Sequence, residues 1–109
     1  MRGDDERLRD ILEAIEAIER HLSLGEERFR GDELLQVWAL HHLQLIGEAA
    51  AGLSEAAQSE LSEVPWAAVV GMRKILVHEY FGMDLDRVWA TVERDLPELK
   101  QVLSRHLED

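Results

Sequence analysis

The 109 residues carry 12 Lys and Arg against 23 Asp and Glu, a formal charge of −11 with histidine neutral. Such a chain repels nucleic acid at long range, so any nucleic-acid chemistry must rest on a local basic pocket. The absence of cysteine removes disulfides, thiolate–metal sites and cysteine nucleophiles from consideration.

The start, Met1-Arg2-Gly3-Asp4-Asp5-Glu6, is charged with no apolar stretch behind it. No run approaches the ~20 apolar residues of a membrane span. The expectation is one cytoplasmic domain over 1–109. Leu8, Ile11, Leu12, Ile15, Ile18 and Leu22 recur at helical spacing and predict an amphipathic helix from about Asp4 to His21. Gly25 and Gly31 bracket a stretch read as a polar connection.

Asp32 suits the N-cap of a second helix. From Leu34 to Gly47 no residue is formally charged unless a histidine is protonated. Leu34, Leu35, Trp38, Leu45, Ile46 and Ala49 are read as its apolar face. Val37, His41, Gln44 and Glu48 form a mostly polar stripe that either borders solvent or a hydrogen-bonded seam, or lets Glu48 pair with Arg73. Gly52 ends this helix, and Ser54 caps a short one running to Glu63.

Next comes a long helix from Pro65, suited to a first turn, to Gly82, suited to a C-terminal cap. It is apolar except for Arg73, Lys74, His78, Glu79 and Tyr80. A helix apolar all round is buried on all sides, which predicts that a second copy covers one side. At ~100° per residue, Trp66, Val69, Val70, Val77 and Tyr80 share the face of Arg73, whereas His78 lies about 140° away. Arginine and histidine therefore converge only through a bend or a second copy.

Asp84 or Asp86 caps a last helical region with a break or kink near Asp95, because Pro97 falls inside it. No alternating run suggests a strand. The fold expected is all-α, an antiparallel bundle of four to five helices.

The histidines offer poor metal geometry, since the neighbours His41 and His42 leave a helix in different directions. His21 and His106 sit near helix ends and read as structural. Trp38, Trp66 and Trp89 read as core. No Gly-rich phosphate loop, His-Glu-x-x-His or EF-hand pattern occurs, and no cofactor is implied. What remains is Arg73-x4-His78-x-Tyr80.

Its surroundings, Ile46-Gly47-Glu48-Ala49, Val64-Pro65-Trp66, Gly71-Met72-Arg73, Val77-His78-Glu79-Tyr80-Phe81, Asp84, Val88-Trp89 and Leu96-Pro97, resemble the HepT-like branch of the HEPN superfamily. The resemblance spans nearly the whole chain. Lys74 departs from it, standing where the family usually has an amide-type residue. The resemblance implies a helical homodimer whose paired Arg-x4-His motifs, here Arg73 and His78, share one cleft. It also implies a metal-independent ribonuclease toxin with an RNA substrate. The implied partner is an MntA-like nucleotidyltransferase antitoxin that neutralises the toxin by placing AMP on Tyr80. Lys74 and Arg87 would add cations, and Glu48 would support Arg73. The alternative is a non-catalytic dimeric partner, or nucleotide-sensing subunit, of a nucleotidyltransferase.

Overall fold

Three acids, Asp4, Asp5 and Glu6, occupy the first turn of α1 (Asp4–Leu22), and Arg20 and His21 its last, so both ends complement the helix dipole. The computed structural model describes residues 3–74 and 84–108. Among these, α2 (Glu26–Gly31), α3 (Glu33–Ala51), α4 (Glu55–Glu60), α5 (Trp66–Gly71), α6 (Leu85–Ala90) and α7 (Leu96–Glu108) follow, with no strand. The all-α class read from the sequence is what the chain adopts.

α1 and α3 run antiparallel as the central pair. Their register is set by three contacts. Ser54 donates to Asp4 through its N–H (2.9 Å) and its hydroxyl (2.7 Å). The Arg7 guanidinium lies against Gly52, where an added Cβ would fall 2.1 Å from Nη1. The Trp38 indole donates to the Ala17 carbonyl at 2.8 Å. α7 packs antiparallel on α1, with Lys100 bonded to Glu19 at 2.7 Å and His106 3.8 Å from Asp5. Leu8, Ile11, Ile15 and Ile18 of α1, Leu43 and Ile46 of α3, and Leu96 and Leu103 of α7 are fully buried between these helices. Each such side chain contributes about 1.5–3 kcal/mol.

The stretch between Gly25 and Gly31 is not a plain connection. It folds as α2, with Glu26 and Glu27 first, Arg28 and Arg30 last, and Phe29 fully buried against Trp89. Arg30 ties this turn to Glu26 and to Asp86 of α6, and both bonds raise its pKa. Asp32 caps α3 as expected, accepting from the N–H groups of Leu34 and Leu35. Ser54 and Asp84 likewise cap α4 and α6.

The expected break near Asp95 takes the form of a π-helical turn over Thr91–Asp95. The Leu96 N–H reaches five residues back to the Thr91 carbonyl. Pro97 has no N–H, and its ring would clash with the carbonyl four residues earlier. One widened turn lets the helix pass the proline without ending.

Candidate functional site

α5 begins where Pro65 leaves the helical conformation (φ −77°, ψ 77°). The Trp66 indole donates to the Leu61 carbonyl at 3.1 Å and pins that start. Trp66, Val69 and Met72 turn inward and are buried. Ala67 and Ala68 are exposed, and Val70, Gly71 and Arg73 are half-buried. The expectation of a helix buried on every side is thus not met within one chain, because this element packs on α3 and leaves its other flank open.

The straight helix expected through Arg73 also ends sooner. α5 stops at Gly71, and Met72–Lys74 form a 3-10 turn. Three residues per turn replace 3.6, so the angular positions drawn for a straight helix do not extend to Arg73. His78 and Tyr80 lie outside the described residues, as does the rest of the expected helix beyond Lys74.

What holds Arg73 is α3. A Cβ on Gly47 would lie 2.6 Å from the Arg73 backbone nitrogen, 2.9 Å from its Cβ and 3.0 Å from the Val70 carbonyl oxygen. Only glycine permits this backbone-to-backbone approach. Lys74, the next residue, is exposed. The ion pair expected between Glu48 and Arg73 is not among those the described residues form. Gly47 is the residue that faces Arg73, and Glu48 is turned about 100° from it, out to solvent. The solvent-bordering reading of the Val37–His41–Gln44–Glu48 stripe is the one realised.

The outer face of α3 is apolar nonetheless. Leu34 is 81% exposed, Val37 55% and Leu45 45%, although Leu34 and Leu45 were expected in the core. Arg87 is exposed on α6, its N–H capped by Asp84. Between α1 and α3 lies an open depression of about 750 Å³. A second groove, about 420 Å³, runs between α5 and α7 over Val69, Met72, Leu99 and Val102. Among the described residues no group of three or more His, Cys, Asp or Glu is placed to hold a metal ion, and no helix is long and apolar enough to cross a membrane.

Two features escaped the sequence reading. One is the contact of Gly47 with Arg73, whose local signal was only a glycine in the middle of a helix. The other is the depression beside His42, whose own reading as packing or surface holds. His42 is buried at 9% exposure and yet borders the α1–α3 depression.

A family model described as "Ribonuclease HepT-like" matches residues 11–106. A protein of Thermococcus cleftensis named "Probable ribonuclease HepT" is 37% identical over 100 residues, covering 91% of each chain. A "Putative RNase" of Caldanaerobacter subterraneus is 35% identical over 102 residues, 93% of this chain and 91% of its own. A Methanocaldococcus jannaschii protein named "Gamma-glutamylcyclotransferase and putative RNase" is 34% identical over 103 residues. That match covers 94% of this chain and 46% of the relative, so the present chain spans about half of that longer protein. No solved structure matches.

Proposed function

Because the chain belongs to the HepT-like ribonuclease family, we propose that it is the metal-independent, RNA-cleaving toxin of a toxin–antitoxin pair, with Arg73 and His78 of two copies acting on one phosphodiester. The observation that carries this reading is the glycine-tight seat of Arg73 on α3, beside the open flank of α5. A guanidinium held at its backbone and half exposed is suited to grip a phosphate through its bidentate fork.

Cleavage without a metal needs a base for the 2′-hydroxyl proton, an acid for the leaving 5′ oxygen, and a cation for the charge that develops on phosphorus. One chain brings a single motif histidine, and a homodimer brings two. The half-buried Val70 and Gly71 and the exposed Ala67 give α5 an apolar flank that a second copy would cover. Lys74 adds an exposed cation beside Arg73.

Regulation follows from the same cleft. An MntA-like nucleotidyltransferase would let the Tyr80 hydroxyl attack the α-phosphorus of a nucleoside triphosphate. Pyrophosphate leaves, the phenolic proton is lost, and AMP remains on the oxygen. Its phosphate then competes for Arg73 and its base blocks RNA.

The test is cleavage of single-stranded RNA by the wild type and by Arg73→Ala and His78→Ala. The expected result is cleavage that persists in EDTA, leaves a cyclic phosphate, and falls about 10²–10⁴-fold in the His78 variant. Activity lost on chelation and restored by a divalent ion would overturn the mechanism. The charge of −11 favours a second reading, a non-catalytic partner of a nucleotidyltransferase. Growth arrest by the wild type that vanishes with His78→Ala decides for the enzyme, and no arrest with either decides for the partner.

A further inference from the structure

The α1–α3 depression lies on the side of α3 away from Gly47 and Arg73, since His42, Leu45 and Ala49 fall roughly 160–220° around the helix from Gly47. The RNA-cleaving reading does not use it. Its floor is apolar, made by Ala14 and Ala17 of α1 with Leu45 and Ala49 of α3. Its rim carries Glu13 and Glu16 on α1 and Glu48 on α3, all exposed. Arg7 and Arg20 stand towards its two ends, and Arg7 is laid against Gly52. Asp10 also borders it but already has an interaction of its own.

His42 gives this surface a built polar group. Its Nδ1 is 2.8 Å from the Trp38 carbonyl, an acceptor only, so Nδ1 carries the proton and donates. Nε2, on the other side of the ring, is the nitrogen left for a second partner. It has no partner among the described residues, and no fully buried polar side-chain atom is left without one, so Nε2 is not fully buried, and the ring it belongs to borders the depression. In a neutral ring Nε2 is an acceptor, held by a side chain only 9% exposed, that a ligand N–H could meet.

The carboxylates are too dispersed to hold a point cation. A nucleotide or other phosphate would meet like charge. An apolar floor bordered by separated carboxylates matches a chain of methylenes carrying several ammonium groups. We propose that the α1–α3 depression binds a linear polyamine, with ammonium groups on Glu13, Glu16 and Glu48, one N–H donated to His42 Nε2, and methylenes over Ala14, Ala17 and Leu45.

The test is titration calorimetry of the whole chain with spermidine at fixed ionic strength, alongside intrinsic tryptophan fluorescence. Of the three tryptophans, Trp38 has its ring 4.3 Å from that of His42 and so brings the site into the emission. The expected result is saturable binding of one spermidine per chain with a change in emission. Glu13→Gln, an exposed change that leaves the core untouched, should weaken it about tenfold, and His42→Leu should do the same. Glu55→Gln, an equal loss of charge on α4, should leave it unchanged. Three results would overturn the proposal: equal heat from Mg²⁺, an equal loss in Glu55→Gln, or no saturation with spermidine while a lysine-rich peptide saturates the same site.

Discussion

Two glycines separate packing from propensity at the residue scale. Gly47 and Gly71 are both helical, and alanine is the better helix former at each by about 1 kcal/mol. At Gly71 a Cβ meets nothing within 4 Å among the described residues, so Gly71→Ala should raise stability by up to that amount. At Gly47 the same methyl meets the Arg73 backbone at 2.6 Å, which a side-chain rotation cannot relieve. Gly47→Ala should cost about 1–3 kcal/mol and displace Arg73. Urea denaturation of the two variants checks the opposite signs, and RNA cleavage should fall in the Gly47 variant. Asp4 offers a second contrast. Its pKa is lowered chiefly by the Ser54 backbone N–H and then by the Ser54 hydroxyl. A carboxylate with a depressed folded pKa stabilises above its unfolded value of about 3.8, and the benefit fades as pH falls through the folded value. The Tm gap between the wild type and Asp4→Ala should therefore be full at neutral pH and shrink below about pH 3.8. A gap that widened in acid would contradict this. Neither site was legible beforehand, because each pairs residues more than 20 positions apart, and no local period records such a meeting.

Legibility at the scale of elements followed length and charge contrast. α1 was readable because its apolar positions repeat over nineteen residues against a charged face, and α3, α4 and α6 because Asp32, Ser54 and Asp84 are side-chain caps. α2 was not, since six residues make fewer than two turns and only Phe29 turns inward. The buried face of α3 was misphased. The helix is uncharged over most of its length, so only the narrow His41–Gln44–Glu48 stripe marked its outside, and the small Ala39, Gly47 and Ala50 face inward while Leu34 and Leu45 do not. Pro97 foretold an interruption but not its form. The candidate site was legible in part: the Arg73 motif came through family resemblance, whereas the 3-10 turn carrying it and its seat on Gly47 did not. Caps also make the cleanest test of an element. Asp32 satisfies two N–H groups of α3, at 2.9 and 3.4 Å, so Asp32→Ala should cost about 1 kcal/mol in thermal or urea denaturation. A change too small to measure would mean that packing alone sets the start of α3.

For the whole molecule the governing quantity is charge. A body at −11 opposes RNA everywhere except where cations cluster. Under the proposed dimer, the cleft gathers Arg73 and Lys74 from each copy, four cations in all. Each phosphate neutralised on a single strand contributes a slope of about −0.7 in log affinity against log salt, so four contribute about −2.8. The acidic remainder can only make the observed slope shallower, because salt also screens the repulsion. RNA binding by the non-cleaving His78→Ala variant, followed by fluorescence anisotropy between about 50 and 300 mM salt, should therefore give a slope of about −3 or weaker. Lys74→Ala should flatten it by about 1.4, two cations per dimer. A slope steeper than about −5 would require a basic surface beyond these two residues, and the RNA path would then have to be sought elsewhere on the chain.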